Sequence, residues 1–323
     1  MLKFAVPSPV PFPGRTGLRL GLLSLLAALS VCFAQPVLAK KKSRAEDLTL
    51  RSQIVLVVDQ ESGEALVEKN ADVTVPIASL TKLMTALVVL DAKLPLDEMI
   101  EIGKDDVDRE KHTHSRLTVG TRLSRRDLLL LALMSSENRA ANALGGAYPG
   151  GRTAFITQMN LKAKQLGMKS SQFADPAGLS MESMSTARDL LRLVSAADTH
   201  ELIREFTTRP QATVRVRKQT LTFVNTNRMV RNSREWDIGL QKTGFTNEAG
   251  RCLVMRATTL DRKLSMVFLN SDGALTRFAD AARVRRQIEL GAKSEAVTPV
   301  KKTPTAKPAA PAKASSKPKG AAS

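Results

Sequence analysis

Apolar residues form strand-like runs near both ends of the middle part of the chain. Residues 54–58 are an unbroken run of Ile, Val and Leu, and a Ser-Gly pair separates them from a second apolar run at 65–67. Such runs, bounded by turn residues, are typical of buried strands in a hairpin. Near the other end, three more apolar runs with turn-length gaps predict strands at 238–243, 251–258 and 264–269.

Between these strands, the apolar residues repeat at helical spacing. Leu83, Leu87 and Leu90 fall on one face of a helix predicted over residues 79–91. Similar periods predict further helices at 125–133, 137–147, 153–166, 186–197 and 277–290. Because strands lie at both ends and helices between them, we expect an α+β fold in a single domain. Its antiparallel sheet is completed by both chain ends and covered by helices.

Residues 1–39 have the features of a signal peptide. Basic residues precede an apolar stretch at 20–33, and cleavage after Ala34 or after Ala39 fits the residues that follow. A membrane anchor is the alternative, but the apolar stretch is shorter than the ~20 residues that span a bilayer. A lipoprotein signal at Cys32 is disfavoured because Val31, just before it, is not small.

Charged and small residues flank the predicted domain. Residues 40–47 are a charged lead-in, and residues 293–323 are mostly Lys, Pro, Ala, Ser and Thr. That tail has too little apolar surface to fold, so we expect it to be disordered and the folded domain to span residues 48–292. The tail is either a solvated tether or a segment attracted loosely to anions of the cell wall or membrane.

Charge and cysteine content narrow the classes of function. The chain has 49 Lys and Arg against 31 Asp and Glu, a formal net charge of +18, which favours polyanionic surroundings. Aromatic residues make up only 4% of the chain, too few to stack on bases, so no nucleic-acid partner is expected. Removal of the signal peptide leaves only Cys252, which we expect to be a buried structural thiol without a disulfide partner.

A serine and a lysine form the first candidate for chemistry. Ser79 and Lys82 are three positions apart at the start of a predicted helix, which places both side chains on one face. An amine in that position can accept the proton of the serine hydroxyl and so make acyl transfer feasible. The pattern alone is weak, because a second S-x-x-K occurs at Ser316 in the tail.

Two more motifs follow in a fixed order. Ser136 and Asn138 come after a predicted helix, and Lys242-Thr243-Gly244 ends a predicted strand. The three motifs in this order are the signature of penicillin-binding proteins and class A β-lactamases.

The sequence resembles the serine D,D-peptidases, and among them the D-alanyl-D-alanine endopeptidases. The similarity covers nearly all of residues 50–291 and includes the segments IASLTKLMTA, MSSENRAANAL, DPAGLS and LQKTGFTNEAGRCLVMRA. It implies the fold of the β-lactamase and D,D-peptidase superfamily. It also implies hydrolysis of D-alanyl peptide bonds in peptidoglycan stem peptides, cleavage of cross-links, covalent inhibition by β-lactam antibiotics, no cofactor, and a periplasmic location.

The same resemblance implies roles for the motif residues. Ser79 would be the acylated nucleophile and Lys82 its base, and the oxyanion hole would be the backbone N–H groups of Ser79 and Phe245. Glu137, between two motif residues, is expected to point away from the chemistry. The implied catalytic residues are Ser79, Lys82, Ser136 and Asn138, and the implied substrate-binding residues are Lys242, Thr243, Gly244 and Phe245.

Other functions remain as alternatives. A D-alanyl-D-alanine carboxypeptidase carries the same motifs, and a non-catalytic wall-binding protein would keep the fold without turnover. A β-lactamase needs a deacylating glutamate, and the loop at 173–185 offers only Glu182, outside the expected pattern. His112 and His114 could begin a metal site, but no second His or Cys cluster is near them in the sequence, so no metal is expected.

Overall fold

Strands from both ends of the folded region surround a group of helices. The computed structural model describes residues 49–231 and 236–297. The predicted signal peptide (1–39), the lead-in (40–47) and the tail beyond Val297 lie outside these residues. In chain order the strands are β1 (Ser52–Asp59), β2 (Ala65–Lys69), β3 (Val75–Pro76), β4 (Met99–Glu101), β5 (Arg122–Ser124), β6 (Met184–Ser185), β7 (Gln211–Val216), β8 (Gln219–Val224), β9 (Asp237–Thr246), β10 (Gly250–Thr259) and β11 (Arg262–Ser271). The helices are α1 (Thr81–Asp91), α2 (Arg125–Met134), α3 (Asn138–Gly146), α4 (Gly151–Gln165), α5 (Ala187–Asp198), α6 (Glu201–Thr208), α7 (Arg228–Arg231) and α8 (Thr276–Val297), with 3-10 turns at Ala78–Leu80 and Lys104–Asp106.

The main sheet is antiparallel and has the order β2-β1-β11-β10-β9. Its central strand, β11, pairs with β1 on one side and with β10 on the other, so Val267 lies opposite both Leu56 and Val254. The N-terminal hairpin and the C-terminal strands therefore complete one sheet, as the sequence pattern predicts. β9 is an outer strand, and it lies against helix α6 and against the 3-10 turn at Ala78–Leu80.

Both faces of the sheet are covered, which explains why its strands are continuous apolar runs. On β1, Ile54 and Leu56 pack into the core formed with helices α1 to α6. Val55 and Val57, on the opposite face, pack into a second core with α8. Burial of these side chains on both faces is the main source of stability, at roughly 25 cal/mol per Å² of apolar surface.

A buried carboxylate joins the last helix to the first strand. Asp280 on α8 is fully buried, and its Oδ2 accepts hydrogen bonds from the backbone N–H and the hydroxyl of Ser52, each at 2.7 Å.

Among the described helices, none is both long and apolar enough to cross a membrane.

Several elements differ from the sequence prediction. The predicted helix at 79–91 begins as a 3-10 turn, and α1 starts only at Thr81. The hairpin of β7 and β8 and helix α6 were not predicted, although Val214 and Val216 alternate with polar residues as in a half-buried strand. Helix α8 continues to Val297, past residue 293, where the disordered tail was predicted to begin.

Candidate active site

The predicted nucleophile lies on a strained turn ahead of helix α1. Ala78, the residue before Ser79, has a φ of 48°, which an L-residue seldom adopts. Buried Gly178 packs against this turn, and a Cβ at that position would lie 1.9 Å from the carbonyl oxygen of Ala78. Ser79 is half-buried, so its hydroxyl is partly open to solvent while the turn that carries it is fixed.

Lys82 is fully buried and faces the serine. Its Nζ lies 2.8 Å from Ser79 Oγ, 2.7 Å from Asn138 Oδ1 and 2.6 Å from the carbonyl oxygen of Ala177. An amide oxygen and a carbonyl oxygen can only accept. A neutral amine has two N–H donors and one lone pair, so when these two oxygens take the donors, the lone pair is directed at Ser79 Oγ.

The charge state of Lys82 fits this arrangement. Burial lowers the pKa of its ammonium to about 7, although the negative charges of Asp175, Glu137 and Asp108 act in the opposite direction. A large fraction of the side chain is therefore neutral near pH 7, where an ordinary lysine is fully charged.

Ser136 and Asn138 lie at the junction of α2 and α3. Leu131 O, near the end of α2, accepts hydrogen bonds from the N–H groups of Ser135 and Glu137 and fixes this turn. Ser136 is held there with a φ of 60°, and such strained residues persist only where their surroundings fix them. As a result, Ser136 Oγ faces the sheet and Asn138 faces Lys82.

The third motif enters from the outer strand β9. Lys242 is fully buried, and its Nζ donates to Ser136 Oγ and to the backbone carbonyl of Thr243, both at 2.9 Å. Burial, together with the positive charge of Lys82, holds the pKa of Lys242 well below its usual value. The hydroxyl of Thr243 pairs with that of Thr226 at 2.6 Å.

Gly244 brings β9 against the turn of the nucleophile. A Cβ at this position would lie 3.0 Å from the carbonyl oxygen of Ile77 and 3.2 Å from the backbone nitrogen of Ser79. Phe245, the next residue, is half exposed, and the guanidinium of Arg251 lies 4.3 Å above its ring. The structure thus brings the eight predicted site residues together where β9 meets the turn of the nucleophile.

This close approach yields a prediction. We expect Gly244→Ala to slow acylation about tenfold, because the added methyl group pushes on the backbone around Ser79 N and displaces a site that tolerates little misplacement. Gly239→Ala is the matched control on the same strand, where a Cβ would meet no atom within 4 Å. Equal acylation rates for the two variants, measured with a fluorescent penicillin, would contradict the prediction.

Some residues at the site were not found from the sequence. Asp175 accepts hydrogen bonds from the backbone N–H groups of Ala177, Gly178, Leu179 and Ser180, and so orders the loop whose Ala177 carbonyl meets Lys82. Thr113 and Thr226 contact Asn138 and Thr243. The segment DPAGLS marked the loop, but a backbone carbonyl has no signature in the sequence.

Glu137 affects the site through its charge, without a hydrogen bond to Lys82. Its carboxylate accepts a hydrogen bond from the backbone N–H of Arg139 at the start of α3. The side chain is nearly buried, and its charge raises the pKa of Lys82. Glu137 therefore belongs to the electrostatic surroundings of Lys82, although it makes no hydrogen bond to that lysine.

The side chains of the remaining candidates for chemistry are not among the hydrogen-bond partners of the motif residues. His112 and His114 are exposed, and within residues 49–231 and 236–297 no three His, Cys, Asp or Glu side chains group as metal ligands do. Glu182 is exposed on its loop. Cys252 is a buried free thiol, as the sequence predicts, and burial raises its pKa to about 11.

Comparison with known proteins places this geometry in context. Residues 40–273 match the Peptidase_S11 family, described as D-alanyl-D-alanine carboxypeptidase. The chain is 49% identical over 271 residues to a D-alanyl-D-alanine endopeptidase of Pseudomonas aeruginosa, covering 83% of this chain and 86% of that one. It is 44% identical over 277 residues to a D-alanyl-D-alanine endopeptidase of Escherichia coli, covering 84% and 89%.

Solved structures agree with the fold. The crystal structure of a Streptomyces DD-transpeptidase superposes with a TM-score of 0.68 at 29% identity, covering 74% of this chain and 97% of that one. A penicillin-binding protein from Listeria monocytogenes, in its ampicillin-bound form, gives a TM-score of 0.63 at 34% identity, covering 76% and 98%. These matches, the predicted sheet and the paired serine and lysine agree, and the chain belongs to the Peptidase_S11 family of serine D,D-peptidases.

Proposed function

We propose that this protein is a D-alanyl-D-alanine endopeptidase that hydrolyses cross-links between peptidoglycan stem peptides through an acyl-enzyme on Ser79. The observation that carries the proposal is the position of Lys82 Nζ, 2.8 Å from Ser79 Oγ, with its other two partners unable to donate a proton. The named relatives from Pseudomonas aeruginosa and Escherichia coli support the endopeptidase assignment over 83% and 84% of the chain.

The first step is acylation. Neutral Lys82 takes the proton of Ser79 Oγ, and the oxygen attacks the carbonyl carbon of a D-alanyl residue. The oxyanion is stabilised by the backbone N–H groups of Ser79 and Phe245, and the close approach of Gly244 to Ser79 N supports this assignment. The amine then leaves with the proton that Lys82 took from Ser79, relayed through Ser136, whose hydroxyl is within hydrogen-bond distance of Lys242, and Lys82 is neutral again.

The second step is hydrolysis. Water attacks the carbonyl carbon of the acyl-enzyme and gives its proton to Lys82, which passes that proton to Ser79 Oγ as the bond between the acyl group and Oγ breaks. Asn138 holds the amide of the peptide, and Lys242 with Thr243 binds the substrate carboxylate. That assignment is supported by charge: burial and the positive charge of Lys82 disfavour the ammonium form of Lys242, and an arriving carboxylate supplies the missing negative partner.

The proposal also covers the export of the protein, the bounds of its catalytic domain and the role of its tail. Residues 1–39 direct export to the periplasm, residues 48–292 form the catalytic domain, and the lysine-rich tail associates loosely with anionic wall or membrane polymers. Penicillin and other β-lactams acylate Ser79 in place of the substrate, and the ampicillin-bound Listeria relative supports this.

Digestion of purified muropeptides tests the function. We expect the mature protein to convert cross-linked dimers to monomers, as seen by mass spectrometry, and penicillin to block the conversion. The family description favours a second candidate, a carboxypeptidase. If dimers persist while pentapeptide monomers lose their terminal D-alanine, the protein is that carboxypeptidase and the endopeptidase proposal fails.

The pKa of Lys82 yields a pH prediction. Only the neutral amine accepts a proton, and its pKa is about 7. The rate of acylation by a fluorescent penicillin should therefore fall about tenfold for each pH unit below 7 and level off above it. Circular dichroism at each pH checks that the protein stays folded. A flat profile from about pH 5 to about pH 9 would argue against Lys82 as the base.

A further inference from the structure

A loop that carries none of the three motifs lies against Asn138. It follows the 3-10 turn at Lys104–Asp106, and its nearly buried carboxylate, Asp108, organises it. Asp108 Oδ1 accepts hydrogen bonds from the N–H groups of Glu110 and Lys111, each at 2.9 Å. Asp108 Oδ2 accepts from the N–H group of Thr113 at 2.9 Å and from its hydroxyl at 2.7 Å.

The carboxylate of Asp108 is ionised at neutral pH. Burial raises its pKa, but the hydrogen bonds from Lys111, Thr113 and Glu110 outweigh burial and hold the pKa below its usual value. An ionised carboxylate accepts and does not donate. The hydroxyl proton of Thr113 therefore points at Asp108, and Thr113 Oγ1 can serve its second neighbour only as an acceptor.

That second neighbour is the side-chain amide of Asn138. Its Nδ2 lies 2.9 Å from Thr113 Oγ1 and its Oδ1 lies 2.7 Å from Lys82 Nζ. If the amide turned over, its NH₂ group would face the donors of Lys82 and its oxygen would face a hydroxyl oxygen whose proton is already used. The direction of the amide thus follows from Asp108 by way of Thr113.

Nearby charged groups also act on Lys82, in addition to its hydrogen bonds. Asp175, Glu137 and Asp108 act on it as negative charges, and Lys242 faces it as the second lysine of the site. Charge at these distances is not directional. The hydrogen bonds to Asn138 Oδ1 and Ala177 O are directional, and they determine where the lone pair of the neutral amine points.

We propose that Thr113 and Asp108 are positioning residues, which fix the amide of Asn138 so that Lys82 directs its lone pair at Ser79. They do not touch the substrate or the reacting atoms. The inference rests on the proposed acyl transfer by Ser79, and it adds to that function two residues outside the three motifs.

The variant that tests this is Thr113→Val, which keeps the shape of the side chain and removes the hydroxyl. We expect acylation by a fluorescent penicillin to slow about ten- to hundred-fold at neutral pH, because the amide of Asn138 loses its fixed direction. Thr113→Ser restores the hydroxyl and should restore the rate. The matched control is Thr213→Val on strand β7, which removes an exposed threonine hydroxyl that pairs with Thr222 and should leave the rate unchanged.

A second measurement does not depend on activity. Lysine labelled with carbon-13 at Cε reports the titration of Lys82 by NMR, with Lys82→Met to assign the signal. In Thr113→Val the ammonium loses a fixed acceptor, so the titration midpoint should move to lower pH by about half a unit or more. Thr113→Ser should titrate like the parent protein.

The outcomes separate the two proposals. If Thr113→Val acylates and titrates like the parent protein, the positioning role is overturned. It is also overturned if Thr113→Ser fails to restore the rate while both variants melt at lower temperature, because the rate then follows the stability of the fold and not the presence of the hydroxyl. If the parent protein takes up no penicillin, the proposed function fails, and the shift in the titration of Lys82 still decides the positioning role.

Discussion

Ser79→Ala should take up no penicillin and release no product from muropeptides, a loss of at least about a thousand-fold in both reactions. The hydroxyl is the atom that forms the covalent bond, and Lys82 has no other hydroxyl at hydrogen-bond distance among its described partners. The methyl group of alanine fits the half-buried position without a clash. The fold and the melting temperature should therefore change little.

The chain offers a matched control for this experiment. Ser316 carries the same S-x-x-K pattern in the tail, outside the described residues. Ser316→Ala should label as strongly as the parent protein in a gel with fluorescent penicillin. Labelling that persists in Ser79→Ala and disappears in Ser316→Ala would place the nucleophile in the tail and refute the assignment.

The largest expected effect on stability comes from Gly178. Its φ is +74°, and a Cβ would lie 1.9 Å from the carbonyl oxygen of Ala78, where only a backbone shift could relieve the clash. We expect Gly178→Ala to lower the free energy of unfolding by at least about 3 kcal/mol. Because Ala78 precedes Ser79, the same shift should also reduce acylation in the molecules that remain folded.

A substitution at Gly63 distinguishes the two causes of the lower stability, which are backbone strain and the clash with Ala78. Its φ is +70°, nearly the same as that of Gly178, but no atom lies within 4 Å of a Cβ built there. Gly63→Ala should therefore cost only the strain of the backbone conformation, about 1 kcal/mol. Chemical denaturation measures both variants. Equal losses would show that backbone conformation, and not the approach to Ala78, explains the effect.

The motif residues could be placed from the sequence because their spacing and order are specific. Ser79 lies on the 3-10 turn that leads into the helix of Lys82, and Lys242 lies within an apolar strand, so local patterns suffice to place each one. Thr113 and Ala177 could not be found this way. Thr113 lies 25 positions from Asn138 and Ala177 lies 95 positions from Lys82, and only the folded chain brings them together.

The fold was predictable where buried apolar residues follow a regular pattern along an element. The five strands of the main sheet and helices α1 to α5 follow apolar periods that the sequence displays directly. The hairpin of β7 and β8 was missed because arginine, lysine, threonine and glutamine dominate it, although Val214, Val216 and Phe223 supply an apolar face. Helix α6 was missed because it has only eight residues, of which Ile203 and Phe206 are the buried apolar ones.

The arrangement of the sheet also governs the timing of folding. Ser52, at the start of β1, meets Ser271, at the end of β11, across a sequence separation of 219 residues. The hairpin of β1 and β2 comes first in the chain, but the edge of β1 opposite β2 has no partner until β11 joins it. Folding dominated by such distant contacts is slow, because a long loop must close before the contacts can form. The domain therefore completes its core only when β9, β10 and β11 join β1, and the turn that carries Ser79 gains its contact with Gly244 of β9 at that stage.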